Sequence, residues 1–105
     1  MINYEQFQSI ELRIAKVLQA ERIEGSDKLM KLSVNLGEEE RTIVAGIGKK
    51  YEPADLIGKQ VAVVANLEPR SLMGIESNGM VLAADYDGPV LLCPDREVLP
   101  GARIK

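Results

Sequence analysis

Histidine and tryptophan are absent from this sequence, cysteine occurs once, and the aromatic residues amount to three tyrosines and one phenylalanine. Without histidine there can be no Ser-His-Asp relay, no Cys-His pair and no imidazole metal site. A lone Cys93 excludes an intrachain disulfide or thiolate cluster. The lack of cystines fits a reducing compartment, so the expected location is the cytoplasm. Set in Val90-Leu91-Leu92-Cys93, the thiol is expected to be a small core residue. Long apolar runs are missing too. The stretch Val61-Ala62-Val63-Val64-Ala65 falls far below the roughly 20 residues needed to span a bilayer, and Met1-Ile2-Asn3-Tyr4-Glu5 lacks the basic start and apolar stretch of a signal peptide. No membrane partner is expected. Nor is there an excess of positive charge: 13 Lys and Arg stand against 16 Asp and Glu, a net charge of −3. A broadly basic surface is therefore excluded, and any polyanion must be met by a local patch.

What is present is a chain of 105 residues, 46% hydrophobic and 28% charged, a length and composition suited to one compact domain over residues 1–105. Turn-forming residues recur at even spacing, among them Gly25-Ser26-Asp27, Gly37, Gly46, Pro53, Gly58, Pro69, Gly74, Asn78-Gly79, Asp87-Gly88-Pro89 and Pro100-Gly101. Such punctuation predicts short strands joined by turns. Met30, Leu32, Val34 and Leu36 alternate with Lys31, Ser33 and Asn35, the period of a strand with one buried face. Between Glu11 and Ile23 the phase set by Leu12 and Ile14 slips. A bulge near Ala15 to Val17 would restore it and bend the strand, as a small barrel requires, while an amphipathic helix is the competing reading. Further strands are predicted over Arg41 to Ile47, Gln60 to Leu67, Met80 to Ala84 and Val90 to Cys93.

The last three are apolar at consecutive positions, so both faces should be covered, by a helix or by a second chain, which makes a homodimer one of two expectations. Glu52 to Gly58, with Pro53 in its first turn, reads as a short helix. A further turn is predicted around Tyr4 to Ser9, where Phe7 and Ile10 could plug one end. The sum is an all-β chain, a five-stranded OB-fold barrel with short helical caps and extra C-terminal strands.

No acid-base pair or nucleophile relay stands out, so the chain reads as no enzyme and needs no cofactor. Glu38-Glu39-Glu40 reads as a solvated run at a turn, and Asp85 and Asp87 as turn residues in preference to cation ligands. The glycines of Gly46-Ile47-Gly48 lack a third partner for a dinucleotide fingerprint and mark a strand end. The segment from Asn66 to Met80 is different, because it mixes Arg70, Asn66, Ser71, Ser77 and Asn78 with apolar Leu72, Met73, Ile75 and Met80. Apolar residues in a loop imply packing on the barrel mouth or on a partner. A second cluster is expected if Lys31 and Arg41 pair across Gly37 and share a face near Lys28. Lys28, Lys31, Arg41 and Arg70 would then line one site on the face where OB barrels bind oligonucleotides. None of the four aromatic residues falls in these segments, which favours recognition of an RNA's shape and backbone over base stacking.

The string from Glu11 through Ala84, with its Asp27-Lys28 turn and the loop Asn66, Leu67, Pro69, Leu72, Gly74, Ser77, Gly79 and Met80, closely resembles the tRNA-binding domain family. Members are attached to the C-terminus of many methionyl-tRNA synthetases, stand alone as structure-specific tRNA-binding proteins, or form part of the endothelial monocyte-activating polypeptide. The ending LLCPDREVLPGARIK also looks like that family's closing segment. The resemblance implies a non-catalytic OB-fold that binds tRNA by shape in protein biosynthesis, often as a homodimer, alone or beside a methionyl-tRNA synthetase catalytic domain. It also implies phosphate or sugar contacts from Lys28, Arg41 and Arg70, hydrogen bonds from Asn66 and Ser77, and an apolar role for Met80. Lys31 joins these as an RNA-binding candidate from the strand pattern above. Glu68 and Glu76 depart from the family's habit by adding negative charge to the loop. The rival reading is a dimeric, chaperone-like module that holds peptides with Leu72, Met73 and Ile75.

Overall fold

The computed structural model describes residues 1–105. It contains α1 (Tyr4–Gln8), β1 (Leu12–Arg22), β2 (Met30–Asn35), β3 (Glu40–Ala45), α2 (Pro53–Leu56), β4 (Gln60–Val64), β5 (Arg70–Leu72), β6 (Ile75–Ser77), β7 (Met80–Val81), β8 (Ala83–Asp85) and β9 (Pro89–Leu91). Five strands form one antiparallel sheet in the order β3-β2-β1-β4-β7, and two small hairpins, β5-β6 and β8-β9, flank it. The predicted OB-like barrel with helical caps and additional C-terminal strands is the observed architecture.

The long first strand serves both halves of the sheet. Residues 12–16 pair with β4 and residues 16–22 with β2, and the register shifts between Val17 and Gln19. The bulge thus sits at Leu18, beside the predicted segment, and turns the strand around the barrel corner. Inward residues of β1 to β4, including Ala15, Val17, Met30, Leu32, Val34, Ile43, Val61 and Val63, fill the interior together with Leu56 of α2. Leu56 is fully buried where α2 packs on β1, a burial that contributes about 1.5–3 kcal/mol.

The barrel is closed by side-chain chemistry as much as by strand pairing. On the free edge of β3, the Val44 N–H donates to Ser77 Oγ at 2.9 Å, and the Asn78 N–H donates to the Thr42 carbonyl at 2.8 Å. The edge of β1 left bare where β2 veers away is filled by the C-terminal segment. Gly101 N–H donates to Ile14 O at 2.7 Å, Ile14 N–H to Ala102 O at 2.9 Å, and Ile104 N–H to Leu12 O at 2.9 Å. Upstream, the Gln60 side-chain amide binds the Val98 backbone in both directions, accepting from its N–H and donating to its carbonyl. β4 is accordingly buried on both faces, as predicted, by cover from its own chain.

Three expectations are corrected. Cys93 is exposed, because β8-β9 lies outside the barrel and only Leu91 of its approach packs on the core. Phe7 and Ile10 do not plug the barrel. No residue of α1 is buried, and the helix is held instead by its Asn3–Gln6 capping box. Met80 to Ala84 and Val90 to Cys93 are not covered on both faces within this chain, and they break into the short β7, β8 and β9.

Candidate nucleic-acid interface

The segment from Asn66 to Met80 is a hairpin where a loop was expected. β5 and β6 pair Arg70 with Ser77, Ser71 with Glu76 and Leu72 with Ile75 around a Met73-Gly74 turn. Both turn residues have left-handed backbones, with φ of 52° at Met73 and 78° at Gly74. A non-glycine residue there is strained. The Met73 methyl rests on Gly25, 3.3 Å from where a Cβ would stand. The tip of the hairpin therefore abuts the loop between β1 and β2. These are the two connections that flank the ligand face of an OB barrel.

The hairpin between β2 and β3 forms as predicted, but its register divides the expected cation cluster. Asn35 pairs with Glu40 across a four-residue turn, so Lys31 lies opposite Val44, and Arg41 lies opposite inward-facing Val34. Lys31 and Arg41 consequently point to opposite faces. One residue more or fewer in the turn would have put them together.

The seven candidates separate into two groups. At one end, Lys31 and Arg70 belong to a single row across the sheet, running from Glu21 through Lys31, Val44 and Ser77 to Arg70. Lys28 lies exposed three residues beyond Lys31, towards the β1-β2 loop. Lys31 faces Glu21 at 3.6 Å. Ser77, buried to 4% exposure, joins the Val44 N–H to the Gly79 carbonyl and thereby seats the hairpin. At the other end are Arg41, Asn66 and Met80. Arg41 donates to the Ala65 carbonyl and meets Glu39 at 2.6 Å. Asn66 accepts from the Glu11 N–H at 2.9 Å and donates to the Ser9 carbonyl at 2.8 Å, so both ends of its amide are engaged within the chain. Met80, opposite Val64, is exposed.

This second mouth holds a constellation that sequence reading missed. Arg13 binds Glu11 at 2.5 Å and the Gly101 carbonyl at 2.9 Å, and Arg103 sits opposite Arg13. The hydrogen bond from Arg13 lowers the Glu11 pKa from the ordinary carboxyl range; partial burial works against this, and the charges of Arg13, Arg103 and Arg41 assist it. Glu11, Glu38 and Glu39 outnumber Arg13 around the adjoining cavity of about 610 Å³, so its lining offers a polyanion no excess of positive charge. Nothing in the sequence marks it, because its residues are 88 positions apart. Also unforeseen are Lys49 and Lys50: Lys49 reaches Asp27, the neighbour of Lys28, at 3.8 Å, and the Lys50 stem lies on Gly88.

A family model described as "putative tRNA binding domain" matches residues 12–103. The chain is 56% identical over 106 residues to a methionine–tRNA ligase of Methanothrix thermoacetophila, and 51% identical over 104 residues to that of Thermotoga maritima. These alignments cover 100% and 98% of the chain but only 16% of either enzyme, so the chain spans about a sixth of the length of these relatives. Among solved structures, a MetRS-related protein from Pyrococcus horikoshii superposes with a TM-score of 0.94 at 39% identity, covering 100% of this chain and 98% of that one. The chaperone CsaA of Bacillus anthracis gives 0.92 at 34%, covering 100% and 99%.

Proposed function

The chain belongs to the tRNA-binding domain family, and from that membership we propose that it is a non-catalytic module, one domain over residues 1–105, that holds folded tRNA by its backbone and shape. The observation that carries this reading is a family match that takes in the barrel and the β5-β6 hairpin together. In the proposed complex, Lys28, Lys31 and Arg70 meet phosphates at the hairpin end, while Ser77 and Asn66 act from behind by holding the segments that carry the contacts. Arg41 and Met80 flank the opposite mouth, where Glu39 restrains Arg41, and any RNA contact they make is secondary. Such a module raises a synthetase's hold on tRNA, in cis beside a methionyl-tRNA synthetase catalytic domain or in trans as a carrier in the cytoplasm, by adding a second point of contact. It requires no cofactor.

We also propose that the chain works as a homodimer. Tyr86, Val90, Leu92 and Leu99 are exposed on the C-terminal segments, as are Met1, Ile2 and Tyr4 at the other terminus. Large apolar side chains left open on both terminal segments are surface that a second copy of the chain would cover.

The deciding experiment is a fluorescence titration with folded tRNA and with a scrambled single strand of equal length, at several salt concentrations. Preferential binding of the folded RNA, falling steeply with salt, is the expected result. Equal affinity for both RNAs defeats the proposal. A peptide-holding activity that survives alanine at Lys28 and Arg70 but is lost with Leu72→Ala or Ile75→Ala would establish the chaperone-like alternative.

A further inference from the structure

Two lysine stems in this molecule lie flat on glycines. A Cβ at Gly46 would stand 2.9 Å from Cε of Lys28, and one at Gly88 would stand 2.6 Å from Cε of Lys50, with its Cγ and Cδ at 3.1 and 3.3 Å. Gly88 has a φ of 103°, so its backbone alone accounts for the residue type. Gly46 is not among the positive-φ residues, and the only atoms its missing side chain would strike belong to the Lys28 stem. Beside it, Gly48 donates its N–H to the Lys28 carbonyl at 2.7 Å, and its own carbonyl accepts from Arg22 at 2.7 Å. The loop after β3 is thus fastened to the β1-β2 loop, with Lys49 and Lys50 immediately following.

The ammonium groups of these lysines are weakly held. Lys49 stands 3.8 Å from Asp27 and Lys50 4.0 Å from Asp87, carboxylates that are 84% and 96% exposed, and Lys28 has no ion-pair partner. Exposed pairs at the limit of contact contribute little and are readily exchanged for another anion. Arg22, by contrast, is committed to Glu52 at 3.2 Å and to two carbonyls. Lys28 and Lys50 keep their apolar stems packed and their charges in water, which reduces the side-chain entropy lost when an anion is bound, while Lys49 is more exposed than Lys50.

We propose that Lys28, Lys49 and Lys50 form a site for the sugar-phosphate backbone of RNA across the β1-β2 and β3-α2 loops, with Gly46 as the positioning residue that lets the Lys28 ammonium reach it. The proposal rests on the tRNA-binding reading, which already holds Lys28, and extends it to Lys49, Lys50 and Gly46. Its test is a titration of the full chain with a folded tRNA transcript, for the unaltered protein and for Lys28→Met, Lys49→Ala, Lys50→Ala, Gly46→Ala and the Gly46→Ala/Lys28→Met double variant. Lys28→Met keeps a stem on Gly46 and removes only the charge. Each lysine variant is expected to weaken binding several-fold and to reduce the slope of log affinity against log salt by roughly one. Gly46→Ala should weaken binding without changing net charge, and should have no further effect once Lys28 is Met. Unchanged affinity and slope in the Lys49 and Lys50 variants, with the unaltered chain still binding, overturn the site and leave the tRNA reading intact. Equal losses from Gly46→Ala with and without Lys28 overturn the positioning role. If Gly46→Ala does not fold, the three lysine variants decide the site. An unaltered chain that does not prefer folded tRNA overturns the reading beneath it.

Discussion

Glu11 illustrates how a single carboxylate can link distant segments. Its backbone N–H is held by Asn66, and its side chain faces Arg13, with Arg103 and Arg41 near enough to favour its charge. A carboxyl whose folded pKa lies below its unfolded value stabilises the fold fully at pH values above the ordinary glutamate pKa of about 4.3. That contribution disappears as pH falls through the lowered folded value. Thermal melts between pH 7 and pH 2 should therefore show a loss below pH ~4 that is shallower in Glu11→Gln, and identical pH profiles for the two proteins would contradict the linkage. Cys93 shows the opposite limit of residue-level reading. Its apolar neighbours suggest a buried thiol, but burial depends on where the chain leaves the barrel: Leu91 packs on the core, and Cys93, two residues on, is exposed.

Individual elements were legible in proportion to the length of their pattern. The six alternating residues of β2 and the phase slip in β1 announced themselves, because a strand with one face in the core must keep a period of two or break it at a bulge. β5 and β6, three residues each, are too short to show any period, so the hairpin that carries Arg70 looked like a loop. The separation of Lys31 from Arg41 was illegible for a different reason: it turns on whether the acidic turn has an even or odd number of residues. The C-terminal segment gives a sharp element-scale prediction. Gly101 has a φ of 89°, and a Cβ there would collide with the Leu36 carbonyl. Gly101→Ala should undock residues 101–104 from β1 and cost at least about 1–3 kcal/mol, read by denaturant unfolding and by faster amide exchange at Ile14. Full stability in that variant would show that the docking is dispensable.

Over the whole molecule, charge is grouped locally and not spread evenly. Glu38, Glu39 and Glu40 stand together where β2 turns into β3, near Arg41, while the opposite ends of the same strands meet Lys28, Lys49 and Lys50, two of them loosely paired with Asp27 and Asp87. A net charge of −3 is therefore compatible with a local cationic face, because at physiological salt the two ends are screened from one another beyond about 8 Å. The apolar residues left open on the terminal segments belong to this scale as well. Light scattering should give twice the mass of 11.5 kDa, and Leu92→Asp or Tyr86→Asp should halve it. A monomeric mass for the unaltered chain at micromolar concentration removes the dimer.

The edge where Ser77 and Asn78 meet β3 is a seam, crossed by one hydroxyl and one amide in place of a continuous ladder. A wall with such a seam has a preferred place to part. What clasps residues 70–77 to that wall is those two bonds and the grip of Met73 on Gly25, so Ser77→Ala should quicken amide exchange at Val44 before it reaches β1 or β4.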